Sequence, residues 1–368
     1  MDVAGDAGGV TGMGFFAVAL WPLFRYNSAA PQASLQTAVT SDALWTPQDG
    51  AGRLATARVE EHGMPIEQVA PECARLVDLQ QEVEWLGSGF GADATALSLP
   101  WWPAEGPVWW QEGGYLLFSD IGQSKRMKWA PGEGVSLFAE PTNEANGMTR
   151  DPQGRLIACE HAAQRVTRLE PDGRITVVAD RYQGKRLNRP NDVVVKSDGS
   201  IYFTDPFRPT YPNLELGFAG VYRVSPDLQT ITLLVDDFVG PNGLCFSPSE
   251  HILYINDSRV GFIKAFDVLD DGTLANGRLF CVLKDERPGV PDGMKVDLDG
   301  NLYCTGPGGV WIIDPAGKHI GTIALGDGKR ATNLAWGGDD WKTLFITTFH
   351  ELACVRMKIP GVPVPRRI

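Results

Sequence analysis

NDVVVKSDGSIYFTD, residues 191–205, decides the fold of this chain. A polar opener, Asn191, precedes a short β-branched run. Ser197, Asp198 and Gly199 then supply turn chemistry, and a second apolar run from Ile201 ends on Asp205. β-Branched runs on either side of an Asp-Gly turn predict two antiparallel strands. The same pattern occurs five more times. It reads EGPVWWQEGGYLLFSD from Glu105, NGMTRDPQGRLIACE from Asn146 and NGLCFSPSEHILYIND from Asn242. It continues as DGMKVDLDGNLYCTG from Asp292 and NLAWGGDDWKTLFITT from Asn333. Successive openers stand 41, 45, 51, 50 and 41 residues apart.

Paired strands returning every 40 to 50 residues are the signature of propeller blades. The third copy has room for four strands: Val193 to Lys196, Ile201 to Asp205, Val221 to Ser225 and Ile231 to Val235. The last copy runs out in prolines after ACVRMKI (residues 353–359), one strand short, while QEVEWLG (residues 81–87) lies upstream without a blade. Pairing the two would seal the ring and remove two exposed edges. The expected fold is therefore all-β, a six-bladed propeller closed by strands from opposite ends of the chain. A β-sandwich gives no reason for six similar copies, and a doubly wound α/β fold needs helical periods that are missing after residue 105. The propeller is expected over residues 78–368, with residues 1–77 as an extension packed on it. That extension contains an apolar run (residues 10–24) and a helix-like stretch (residues 63–83) placed outside the ring.

A formal charge of −12 argues against nucleic-acid or anionic-membrane partners, which need a basic face. The apolar run 10–24 is short for a membrane span and is preceded by Asp2 and Asp6 rather than Lys or Arg, so it is read as a segment packed on the body, with export or membrane association as the alternative. Six cysteines form no CxxC pair, and four of them sit in strand-like runs. Buried free thiols in a reducing, cytoplasmic compartment are expected. No G-x-S-x-G elbow, H-E-x-x-H motif or P-loop is present, and five histidines are too scattered for a His-rich metal site.

First strands of propeller blades line the central channel, so the six openers should converge at one end of it. Each carries an oxygen acceptor, and Glu105 and Asp292 are carboxylates. Such a set suits a hard divalent cation. Asn and Asp also begin strands simply because they favour turns, and the repeat alone leaves that reading open.

The motifs AEGPVWW, RPNDVVVKSDGSIYFTD, PNGLCFSP, INDS and VPDGMKVDLDGNLY resemble those of the SMP-30/gluconolactonase/LRE family. NGMTRDPQGRLIACEH and ELGFAGVYRV resemble its bacterial gluconolactonase branch. The resemblance spans roughly residues 80–360. It implies a six-bladed propeller with one divalent cation held by Glu105, Asn191, Asn242 and Asp292. Ca2+ is the first choice, with Mg2+, Mn2+ or Zn2+ as others. It also implies a small-molecule lactone or ester substrate and a lactone-opening hydrolase, with Asp292 as candidate general base. Arg189 matches an arginine that holds substrate in the family. Asn146, Asn333 and Trp102 are further candidate substrate contacts, and Asp257 and His161 further candidate catalytic groups. A metal-dependent esterase or phosphotriesterase and a non-catalytic binding propeller are the alternatives.

Two departures stand out. Residues 1–77 lie outside the blades, and the link SGFGADATALSLPWWPA (residues 88–104) is longer than the family usually carries. That link either packs against the extension or narrows the pocket, favouring a bulkier or more apolar substrate.

Overall fold

The computed structural model describes residues 65–91, 102–326 and 328–366. The apolar run 10–24 and most of the 88–104 link lie outside the described residues. Six antiparallel sheets follow one another as blades I to VI. In blade III, Val193–Val195 pairs with Ile201–Asp205, then Gly220–Val224 and Ile231–Val235. Blades I, II and IV begin at Ala104–Trp110, Ala145–Arg150 and Pro241–Phe246, and blades V and VI at Met294–Val296 and Ala331–Gly337. The first strands of successive blades pack beside one another around the axis.

Burial explains the near-continuous apolar second strands. Each is sandwiched on both faces by neighbouring blades, so Ile201–Asp205 has no exposed position. Phe203 and Tyr222 of blade III pack with Ile157, Cys159 and Val166 of blade II. Each such buried apolar side chain contributes roughly 1.5–3 kcal/mol of transfer free energy.

Ring closure occurs as the sequence predicts. Glu84–Ser88 adds a fourth strand to blade VI, with Glu84 opposite Cys354 and Ser88 opposite Glu351. The helix-like stretch behaves differently. Only Cys73–Leu76 is helical, and Ile66–Gln68 is a fifth strand on blade V, Ile66 opposite Ile323. The exposed edge of His319–Ala324 offered unpaired backbone groups, and Pro65 and Pro71 confine any helix between them.

The C-terminal segment crosses the channel end remote from the openers. Gly361 bridges to Asp297, and Val362 N–H donates to Val296 C=O at 3.2 Å. Arg366 reaches Glu250 at 3.3 Å and donates to the carbonyls of Ser247 and Pro248. At the openers' end Asn191, Asn242 and Asp292 are half-buried. All six cysteines are buried and unpaired. Among the described residues no helix is long and apolar enough to cross a membrane.

Candidate active site

Five of the six openers share one register. Glu105 lies opposite Ser119, Asn146 and Asn242 fall in the bulges that face Cys159 and Asn256, and Asn191 and Asp292 stand just before the partners of Thr204 and Thr305. The position after them is Gly106, Gly147, Asp192, Gly243 and Gly293. Blade VI is shifted by one. Gly293 N–H donates to Thr332 C=O at 2.7 Å, just as Gly147 N–H donates to Asn191 C=O at 2.9 Å. Asn333 N–H donates to Thr347 Oγ1 as Asp192 N–H does to Thr204 Oγ1. Leu334 N–H caps Asn333 Oδ1 as Val193 N–H caps Asp192 Oδ1. Thr332 is therefore the sixth opener, and Asn333 is the counterpart of Asp192.

This register explains the glycines. A Cβ at Gly293 would collide with the Asn333 side chain, and one at Gly147 would fall on Asp192. Two blades lend room so that two neighbours can aim polar side chains down the channel.

Around the axis the carboxylates feel one another. Burial pushes the Glu105 carboxyl up to about 7, with the Asp192 charge adding to the rise. Burial, then the charges of Glu105 and Asp192, holds Asp292 well above the ordinary carboxylate range. Asp192 is itself raised by burial. The counterweights are amides, one ammonium and, at Asp292, the Arg208 guanidinium. Asn333 Nδ2 donates to Glu105 Oε2 at 2.8 Å, Gly106 N–H donates to the same oxygen, and the Asn242 amide lies against the Asp292 carboxyl. Lys295 Nζ reaches Asn333 Oδ1 at 3.4 Å.

One side of the mouth carries a second group. Arg189 is fixed by its backbone N–H, which donates to Asp205 Oδ1 at 2.7 Å, and by an ion pair with Glu144 at 2.5 Å. Its guanidinium lies 4.6 Å from both the Trp102 and Tyr211 rings. Trp102 also packs on His161, ring centres 5.4 Å apart. His161 Nε2 faces Asn146 Nδ2 at 3.2 Å. Burial, followed by the charges of Arg189 and Arg208, holds His161 well below its ordinary pKa, so the ring is neutral near pH 7. Accepting from Asn146 at Nε2 leaves the proton on Nδ1, which is buried without a partner.

A model of the SMP-30/Gluconolactonase/LRE-like region matches residues 103–350. The chain belongs to this family. It is 32% identical to the gluconolactonase of Zymomonas mobilis over 325 residues, 80% of this chain and 87% of that protein. It is 30% identical to regucalcin of Oryctolagus cuniculus over 260 residues, 67% of this chain and 83% of that one. The structure of a gluconolactonase from Xanthomonas campestris superposes with a TM-score of 0.70 at 32% identity, covering 80% of this chain and 94% of the other.

Within this SMP-30/gluconolactonase/LRE-like chain, the structure gathers Glu105, Asn242, Asp292, Asn146 and Asn333 about the axis, with Asn191 in register beside them. It sets Arg189, His161 and Trp102 together on one wall. Asp257 is engaged elsewhere. Its Oδ2 accepts N–H groups from Val239 and Gly240, and its Oδ1 those of Arg259 and Val260. Four donors fill the acceptor sites of a carboxylate. Asp120 and Asp205 hold the same strand-end position and likewise brace loops.

Sequence reasoning missed Asp192, Lys295, Asn256, Arg208 and Tyr211. Asn256 Oδ1 accepts the Gly243 N–H and its Nδ2 donates to Asp292 C=O, tying two openers together. The alternation of the first strands carried a signal for Lys295, because a charged residue in a strand between buried Met294 and Val296 must face the channel.

Proposed function

We propose that this protein is a divalent-cation-dependent lactonase that opens a cyclic ester by hydrolysis. The observation that carries this reading is the meeting of two carboxylates, buried Glu105 and half-buried Asp292, with amide side chains about the axis. Among the described residues no three His, Cys, Asp or Glu side chains form a metal cluster by themselves, so a cation here needs the amides. The donor set fits one. Burial and the charge of Asp192 raise the proton affinity of both Glu105 and Asp292, Glu105 adds to the rise at Asp292, and a cation between the two carboxyls would relieve it. The donors are all oxygens, the preference of hard ions such as Ca2+.

Glu105, Asn191, Asn242 and Asp292 would hold the ion. Bound there, it supplies Lewis-acid polarisation of the ester carbonyl and charge for the developing oxyanion. The remaining work falls to side chains. Asp292 has a second carboxylate oxygen to take a proton from the attacking water. The clamped Arg189 and the Nδ1–H of His161 donate to substrate oxygens, and Asn146 Oδ1 accepts from a hydroxyl. Trp102 walls the site and excludes water. The lactone-opening relatives from Zymomonas and Xanthomonas support this substrate class. Six buried thiols fit a reducing, cytoplasmic setting.

The test is elemental analysis of the purified protein, its Asn242→Ala and its Asp292→Ala variants, beside a panel of lactones, aryl esters and phosphotriesters with and without chelator. The expected result is one cation per wild-type chain, its loss in both variants, and chelator-sensitive lactone opening. Metal retained in both variants overturns the ligand set. Faster turnover of aryl esters or phosphotriesters replaces the substrate class, and no turnover of any of them leaves a binding propeller.

A further inference from the structure

The loops joining second to third strands are short in five blades: residues 121–124, 161–164, 258–261, 307–308 and 349–350. In blade III the same connection runs over residues 206–219, on the openers' side of the ring. An excursion of this length in one blade of six points to function at the mouth. It is folded rather than slack where it matters. Tyr211 N–H donates to Arg208 C=O at 2.9 Å, closing a turn with Pro209 at the position that favours it.

That turn builds a ladder of alternating rings and guanidinium groups. Trp102 lies against Arg189, Arg189 against Tyr211, and Tyr211 against Arg208, whose Cζ is 5.7 Å from the ring. The two arginines differ in charge balance. Glu144 answers Arg189. Among the described residues no carboxylate forms an ion pair with Arg208, which is exposed. Its charge is nonetheless felt inward, at His161, Arg189 and Asp292. An unanswered cation beside Tyr211, felt as far as Asp292, is a local exception in a chain with formal charge −12, and it favours anions at this mouth.

We propose that Arg208, held on the blade III loop beside Tyr211, selects lactones that carry an anionic group, a carboxylate or a phosphate, remote from the ester being opened. Such selection rests on the lactonase reading. With the ring ester over Glu105 and Asp292, the far end of a sugar-sized substrate lies toward the mouth, where a guanidinium offers paired N–H donors to planar or tetrahedral oxyanions.

The experiment compares kcat/KM for glucono-δ-lactone, its phosphate ester at the terminal hydroxyl, and a glucaric acid monolactone, in wild type, Arg208→Ala and Arg208→Lys. At least one anionic lactone is expected to be preferred by about tenfold, a charge-assisted hydrogen bond's worth. Arg208→Ala should abolish the preference through KM, and Arg208→Lys should keep part of it. The two anionic arms tell carboxylate from phosphate. Calorimetry of the cation-loaded protein with gluconate, glucarate and phosphogluconate reads the same contact without turnover. If no lactone is opened the enzyme reading fails, and binding alone decides the role of Arg208. No gain from either second anion, or an equal gain in Arg208→Ala, overturns the assignment.

Discussion

Asn333 Nδ2 donates to Glu105 Oε2 over 2.8 Å, joining side chains 228 positions apart across the seam where the last blade meets the first. The bond favours the ionised form of a carboxyl that burial otherwise keeps protonated. Asn333 is in turn approached by Lys295, so a charge from blade V is relayed through blade VI to blade I. Removing this bond should weaken cation binding. Asn333→Ala is expected to bind the ion about tenfold to a hundredfold more weakly, as outer partners of metal ligands typically do. Calorimetric titration of the metal-free protein measures it, and unchanged affinity would detach Asn333 from the site.

Gly293 gives the same relationship from the other side. A methyl there meets the Asn333 side chain and main chain, so Gly293→Ala must push Asn333 away from Glu105. Overpacking of this kind costs about 1–3 kcal/mol. Cation affinity should fall with it. Gly217→Ala, where a Cβ meets nothing within 4 Å, is the control and should stay within about 0.5 kcal/mol. Chemical denaturation of both variants separates the outcomes, since equal stability of the two would mean the close approach is not there.

Holding two repelling carboxylates in the channel destabilises the metal-free protein. A cation at a hundred times its Kd stabilises the fold by about 2.7 kcal/mol, which for a chain of this size raises Tm by roughly 5 °C. Chelator should remove that gain from wild type. In Asp292→Asn one charge is gone, so the same chelator should barely move Tm. A wild-type Tm indifferent to chelator would contradict a cation at this place.

Away from the site, Glu170 on blade II accepts from Thr176 Oγ1 at 2.7 Å and from Arg168 Nε at 2.8 Å, with Arg155 at 3.3 Å. The Thr176 bond first and the Arg168 bond next hold its carboxyl down to about 2. A folded value below the unfolded one gives stability that is complete above the ordinary carboxyl range and is lost as pH falls through about 2. Glu170→Gln should therefore lower Tm at neutral pH, and the deficit should shrink toward pH 2. Thermal melts across that interval check it, and a constant deficit would trace the effect to packing instead.

How much of this was legible beforehand follows from what a repeat can and cannot encode. Six copies with turn residues between apolar runs gave the ring, and an orphan strand at residues 81–87 gave its closure, because both are one-dimensional patterns. The openers Glu105, Asn146, Asn191, Asn242 and Asp292 fell into register for the same reason. Asn333 did not, because Thr332 hides its opener's role. Aligning second strands, FIT of blade VI against YFT of blade III, would have set Thr347 on Thr204 and exposed the shift. Three residues carry no period of their own, so the sequence places Ile66–Gln68 within a helix-like stretch, and the free edge of blade V makes them extended. Nothing in the repeat marks Arg208 and Tyr211 as site residues, because a long loop outside the strands brings them against Arg189.

Asp257 tests the difference between a carboxylate that reacts and one that braces. Two of its four backbone donors, Arg259 and Val260, lie in the turn that follows the second strand of blade IV, and the other two are Val239 and Gly240 just ahead of Asn242. Asp257→Asn replaces one acceptor oxygen by an NH2 group that would face backbone N–H donors. Each donor left unsatisfied costs about 1–3 kcal/mol. The expected variant is less stable by that order, while the molecules that remain folded keep their kcat, because nothing of Asp257 is free to meet water or substrate. Stability by denaturation and turnover per folded chain must be measured together. A variant as stable as wild type but without turnover would make Asp257 the base and demote Asp292 to a ligand.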